Sequence, residues 1–167
     1  MPATTKVALG ASTTNRKWYL DVDSSAPPHT VPTYVGVFGI TEFQDALEPT
    51  LQDDSDFDAD GYKSQTKSAS SWSITLKVAR KVTAASSTAY DAGQELLRLA
   101  AEENGVANSI PVRWYEMEEN GPRVESYKGT AAVTWSPDGG GMDALSTVSL
   151  TLSGQGKRTA IAHPTLP

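Results

Sequence analysis

The chain contains no cysteine, and its only histidines are His29 and His163. Without thiols there is no disulfide framework and no thiolate nucleophile, a composition suited to a reducing compartment such as a cytoplasm. Each histidine adjoins a proline, in Pro28-His29 and His163-Pro164, and neither has the cysteine or helical His partner that builds a local zinc site. No apolar run approaches the length that crosses a bilayer, so no membrane anchor is expected. Met1-Pro2-Ala3-Thr4-Thr5-Lys6 lacks the apolar core of a signal peptide, and no secretion leader is expected there. Basic residues are short as well: 14 Lys and Arg stand against 20 Asp and Glu, a formal charge of −6. Wrapping nucleic acid requires a basic face that releases counterions from phosphates, and this charge opposes it. It leaves room for a protein past which nucleic acid moves without sticking.

What is present is a chain of 167 residues with 38% hydrophobic content, enough for one domain with a real core. Strand patterns dominate. Lys17–Val22 alternates Trp18, Leu20 and Val22 against Lys17, Tyr19 and Asp21, and Thr33–Ile40 is β-branched and aromatic. Ser71–Val82 sets Trp72, Ile74, Leu76 and Val78 on one phase against Ser73, Thr75, Lys77 and Ala79 on the other. Ile110–Met117 repeats the pattern. Asn120-Gly121-Pro122 turns the chain into Val124–Trp135, and Pro137-Asp138-Gly139-Gly140-Gly141 turns it into Leu145–Leu152. One helix is expected over about 91–104, with Asp91 as N-cap, Gln94 at the capping-box spacing, Leu96, Leu97 and Ala100 as its apolar stripe, and Gly105 as a left-handed cap. The expected fold is mainly β: an antiparallel β-sandwich or barrel-like body, residues 1–167 as a single domain, with one flanking α-helix. Three segments do not join its core: an N-terminal arm (1–16), a long acidic inter-strand loop (41–70) and a C-terminal arm (155–167).

The acidic loop is the most distinctive stretch. Glu42, Asp45, Glu48, Asp53, Asp54, Asp56, Asp58 and Asp60 follow one another with no Lys or Arg between them. Asp56, Asp58, Asp60 and Gly61 copy the opening half of a calcium-binding EF-hand loop, which needs a bidentate Glu at its twelfth position. Here that position is Lys67, an ammonium that repels the cation and supplies no oxygen. Pro49 upstream and a strand pattern downstream also replace the two flanking helices. An acidic, solvated loop held open by its own repulsion is the simpler reading.

Catalytic motifs are wanting. There is no Gly-x-Ser-x-Gly elbow. Gly154-Gln155-Gly156-Lys157-Arg158 resembles a phosphate-binding loop, but Thr151 stands at its first glycine position and Arg158 at its Ser/Thr position. Glu102/Glu103 and Glu118/Glu119 read as solvated surface, and Trp72, Trp114 and Trp135 fall on apolar strand phases, where core packing is their role. No enzyme activity and no cofactor are expected.

In order along the chain, Lys17-Trp18-Tyr19-Leu20-Asp21-Val22, Tyr34-Val35-Gly36-Val37, the run from Leu51 to Ser64, Trp72, Tyr90-Asp91-Ala92-Gly93-Gln94-Glu95, Val112-Arg113-Trp114-Tyr115, Trp135-Ser136-Pro137-Asp138-Gly139-Gly140 and Leu152-Ser153-Gly154-Gln155-Gly156 form an ordered set. That set resembles the major tail proteins, the tail tube subunits, of long-tailed non-contractile bacteriophages, especially those infecting actinobacteria. The resemblance implies a virion protein whose hexameric rings stack helically into the tail tube. The tube is built around a tape-measure protein between distal tip proteins and a tail terminator, and double-stranded DNA crosses its lumen unbound. It also implies that the long loop and the terminal arms join one ring to the next.

Elementary physics leads the same way. Arms and a loop that find no burial within one chain suit a repeating heterologous interface, and ring closure covers exposed strand edges. A ring of acidic subunits needs local basic contacts. Lys6, Arg16 and Lys17 in the arm, and Lys157 and Arg158 near the tail, are therefore candidates to meet Asp53, Asp54, Asp56, Asp58 and Asp60 of the loop. Phe57 and Tyr62, beside Lys63, are its expected anchors. One polar strand phase, Ser73, Thr75 and Lys77 or Thr147, Ser149 and Thr151, is expected to line the lumen. Two alternatives accompany this reading: a capsid decoration or tail-terminator ring protein, and a calcium-dependent β-sandwich binding module using Asp54, Asp56, Asp58 and Asp60.

Overall fold

In a computed structural model, residues 4–58, 60–118 and 121–164 are described. Alternating branched and aromatic residues give nine strands among them: β1 (Trp18–Asp23), β2 (Tyr34–Gly36), β3 (Ile40–Asp53), β4 (Gln65–Ala79), β5 (Val82–Thr83), β6 (Ser86–Tyr90), β7 (Ser109–Glu116), β8 (Ser126–Pro137) and β9 (Thr147–Ala160). One helix, α1 (Ala92–Glu102), lies between β6 and β7. Seven strands form one sheet in the order β2-β1-β7-β8-β9-β4-β3, with every pairing antiparallel, and β5 and β6 form a small hairpin of their own.

The large sheet rolls up on its apolar face. Leu20 and Val22 of β1, Val112 and Trp114 of β7, Ala131 and Val133 of β8, Leu150 and Leu152 of β9, and Ile74, Leu76 and Val78 of β4 form one buried cluster. Trp72 stacks on Trp114 with ring centroids 4.9 Å apart. Near the opposite margins of the sheet, Trp18 of β1 meets Phe43 of β3. The expected β-rich body is this rolled antiparallel sheet.

Helix α1 lays Leu97 and Ala100 on the cluster. Asp91 caps it, accepting the Gln94 N–H at 3.0 Å. The Gln94 side chain does not complete a capping box. It is buried, donates through Nε2 to the carbonyls of Phe38 and Ala79, and accepts from Arg80, so it rivets the helix to the sheet. The helix ends at Glu102, with Glu103 as its C-cap. Gly105 has the expected left-handed backbone (φ 64°), but it opens a 3-10 turn (Gly105–Asn108) instead of closing the helix.

Several boundaries differ from the sequence reading. The span 41–70 is not one long loop: residues 40–53 and 65–70 are paired strand, and the open turn narrows to 54–64. Charge hid the strand phase Phe43, Leu47, Leu51. Pro49 is tolerated because β3 is the outermost strand, whose backbone has a strand partner on one side only. The C-terminal arm shortens as well, since 155–160 continues β9 against β8. Thr33–Ile40 splits into β2 and the start of β3, interrupted where the Val37 N–H donates to Leu20 O. Strand β1 is buried on both phases at Leu20 to Asp23, not only at Leu20 and Val22. Residues 1–3 of the expected N-terminal arm, Ala59 of the acidic stretch, Glu119, Asn120 of the expected turn, and 165–167 of the expected C-terminal arm lie outside the described residues.

Candidate functional site, an assembly surface

Strand β4 pairs with β9 only from Ser73 onward; before that its sole ladder is to β3, down to Gln65 opposite Asp53. The result is a two-stranded ribbon that leaves the body beyond the Leu47–Trp72 pair. Its apolar phase continues outward from buried Phe43 to Leu47 and Leu51, each about half exposed. The tip is shaped by its own polar groups. The Asp54 N–H donates to Ser64 O, Ser64 N–H to Ser55 Oγ, Ser55 N–H to Asp53 Oδ1, Asp58 N–H to Asp56 Oδ1, and Thr66 Oγ1 to Asp54 Oδ2. The Ser55 hydroxyl and N–H hold Asp53 below the usual carboxylate range, and the Thr66 and Ser64 side chains do the same for Asp54. Asp56, Asp58, Asp60 and Lys63 are exposed. An EF-hand needs flanking helices; both flanks here are strands, and Lys67 sits in the ladder opposite Leu51. Phe57 is 108% exposed and Tyr62 81%, so neither aromatic packs on its own subunit.

Strand directions bring the other candidates to the same end. Because every pairing is antiparallel, β1 and β4 start where β3 and β9 finish. The N-terminal arm, the hairpin tip and the C-terminal tail therefore all leave from one end of the rolled sheet. Thr4–Thr14 of the arm is exposed throughout, with Lys6 among its residues. The tail is tied down as far as His163, whose Nε2 lies 2.6 Å from Glu116 O and whose ring meets Tyr115 edge-on.

The five basic candidates divide. Lys6, Arg16 and Lys157 are exposed. Lys17 is engaged within the subunit by the buried carboxylate of Glu116, which also accepts the Val124 and Glu125 N–H groups. Arg158 lies against Asp45, 2.9 and 3.0 Å from its two oxygens, and over the Tyr127 ring; Asp45 also accepts from Trp114 Nε1 at 3.0 Å. Lys17 and Arg158 thus each have a carboxylate partner within their own chain, Glu116 and Asp45. Sequence reasoning placed Asp45 in a solvated loop and gave Glu116 no role, because their partners, 113 and 99 residues away, are invisible to local patterning.

The two polar strand phases prove to be neighbours on one face. Thr75 lies opposite Thr151, Lys77 opposite Ser149 and Ser73 opposite Ser153, and β8 extends the face with Thr134 and Ser136. Its one lysine is neutralised: Lys77 Nζ lies 3.3 Å from Asp138, which also accepts the Thr147 and Ser149 hydroxyls. Those hydroxyls, Ser149 first, hold Asp138 below the usual carboxylate range. The face is rich in hydroxyls and nearly free of net charge.

Comparison with known protein families and with curated proteins finds no match. Comparison with solved structures does. A chain from the tail of an empty gene transfer agent particle, refined helically with C6 symmetry, superposes with a TM-score of 0.66 at 10% identity, covering 90% of this chain and 100% of that one. The two chains share one fold. A chain of the native gene transfer agent virion gives 0.62 at 9% identity over 90% and 100% of the two chains. A chain of the anti-feeding prophage baseplate, solved with 6-fold symmetry, gives 0.56 at 11% over 91% and 98%. Sequence reasoning missed Leu47 and Leu51, which share one strand phase with Phe43 at intervals of four residues; Asp45 and Pro49, on the same phase between them, obscured that signal.

Proposed function

We propose that this chain is a tail tube subunit, the major tail protein of a long-tailed, non-contractile phage particle, with the actinobacterial phages as the resemblance suggests. The observation that carries the reading is the projecting ribbon. It bears Leu47, Leu51, Phe57 and Tyr62 on a surface that the subunit itself does not cover, and apolar side chains grouped in this way mark an interaction site. Its occurrence in a fold shared with chains of tail particles makes a second copy the natural partner. Six subunits close a ring, and the ribbon and N-terminal arm of one ring engage the next. Tape-measure, terminator and tip proteins bound the polymer, which is assembled in the host cytoplasm and ends in the virion tail. The hydroxyl-rich face formed by Ser73, Thr75, Lys77, Thr147, Ser149 and Thr151 lines the lumen. With Lys77 paired to Asp138, it offers DNA no free cation with which to displace counterions, so DNA passes without binding.

Electron microscopy of the purified protein, with and without tip proteins, tests this. Stacked rings forming tubes support it. Isolated single rings would favour a terminator or baseplate-like ring component, the alternative that the baseplate neighbour supports. A persistent monomer at high concentration opposes both.

A further inference from the structure

A cavity of about 1250 Å³ opens beside the C-terminal half of α1. Leu96, Leu99, Val106 and Ile110 contribute its apolar wall, Asp23 and Glu103 are the carboxylates along it, and no Lys or Arg lines it. Leu99 is half exposed and Val106 is 91% exposed, so the wall faces solvent. The cavity is larger than the roughly 300–1,000 Å³ of small-molecule sites. Its buried carboxylate, Asp23, is already occupied by the Ser25 and Thr33 N–H groups, the Ser25 hydroxyl and His29. An apolar groove with one exposed carboxylate, Glu103, on its rim and no free converging polar set suits a segment of chain.

Among the described residues, three segments expose a pair of large apolar side chains to more than 80%: the N-terminal arm (Val7 82%, Leu9 96%), the ribbon tip (Phe57 108%, Tyr62 81%) and the turn after β8 (Met142 99%, Leu145 87%). Charge separates them. The tip carries Asp54, Asp56, Asp58 and Asp60 against Lys63, and the turn carries Asp138 and Asp143. The arm carries Lys6 and Arg16 and no acid. Of the three, the arm alone has a net charge that complements the exposed Glu103 of the groove. It leaves the subunit at the Trp18 end of β1, whereas the groove begins at the Asp23 end, about 17 Å away along a strand of this length. A copy stacked end to end brings its arm to the groove directly.

We propose that this groove receives the N-terminal arm of a second copy, with Val7 and Leu9 on the Leu96–Leu99–Val106 wall and Lys6 beside Glu103. The inference rests on the end-to-end stacking described above, and names the surface that does it. Because the chain has no cysteine, introduced thiols report contacts directly. Tagged Val106→Cys protein is mixed with untagged Val7→Cys, Phe57→Cys or Met142→Cys protein, allowed to assemble and then oxidised. Disulfide-linked tagged–untagged species are expected with Val7→Cys at about tenfold the level of the other two, reflecting the local concentration of a docked arm. If tubes form but Val106→Cys links to the Phe57 or Met142 variant instead, or to none, arm docking is overturned while the tail-tube reading stands. A Val7→Cys/Val106→Cys double variant that closes only within one chain overturns it too. If microscopy shows no polymer of any kind, the stacking reading fails and arm docking fails with it.

Discussion

Trp18 stacks on Phe43 with ring centroids 5.3 Å apart and planes 19° from parallel, although four strands separate β1 from β3 in the sheet. This contact closes the rolled sheet on its own core. The Asn15 side chain reinforces the seam by donating to Phe43 O at 2.6 Å. Phe43 is 6% exposed, so Phe43→Ala removes an aromatic from a packed site and should cost about 3 kcal/mol. Urea unfolding measures it. A loss below about 1 kcal/mol, the range of surface changes, would show that the seam does not hold the barrel shut.

Gly154 lies under the Trp72 indole. A Cβ there would fall 2.2 Å from a ring carbon, and Trp72 has no room to yield because its Nε1 donates to Gly156 O and its other face meets Trp114. Gly154→Ala is expected to destabilise by about 2–3 kcal/mol through overpacking. Tryptophan fluorescence should show the indole displaced. Unchanged stability and spectrum would mean that the sheet opens at this point to admit the methyl.

Phe57→Ala and Tyr62→Ala should leave subunit stability within about 0.5 kcal/mol of the parent, because both side chains are exposed. Tube yield and length in electron micrographs should fall sharply. Tubes of normal length and yield would remove both residues from the interface.

Glu116 supplies the pH dependence. Burial pushes its pKa up, but the Lys17 ammonium and the Glu125 and Val124 N–H groups outweigh burial and hold it below the ordinary value. A carboxyl depressed in the folded state contributes stability above its unfolded pKa and loses it as pH falls through the folded one. Lys17 has the opposite sign. Its hydrogen bond to Glu116 raises it, so its contribution is full below its ordinary pKa and fades only in alkali. Glu116→Gln should therefore cost on the order of 2 kcal/mol at neutral pH and flatten the loss of stability between about pH 5 and pH 2. Denaturant midpoints across that range check it, and an acid limb as steep as the parent's would assign the effect to other carboxylates. Asp23, which burial raises but its Ser25 and Thr33 hydrogen bonds hold low, is the next to test.

Tyr115 marks what patterning does not see. It falls on the phase expected to face water, yet it is buried, accompanied by Asp21 and Arg113, and burial followed by the Asp21 charge pushes its pKa up to about 12. The second phase of β1 and β7 is covered by Tyr34 and the C-terminal tail, neither of which can be placed from local sequence. The ribbon shows the converse. Its alternation was present in the residues, but eight carboxylates and a proline made it read as a loop.

The sequence by itself determined the β-rich class, the helix with its Asp91 cap and the buried phase of β4. Those properties follow from neighbours two to four residues apart, where strand and helix periods operate. Only the tertiary structure decided the seam at Trp18 and Phe43, the engagement of Lys17 and Arg158 within the subunit, the shared face of β4 and β9, and the common end from which arm, tail and ribbon depart. Each of these depends on pairs of residues distant in the chain and on the direction of every strand between them, and local side-chain chemistry carries no record of either.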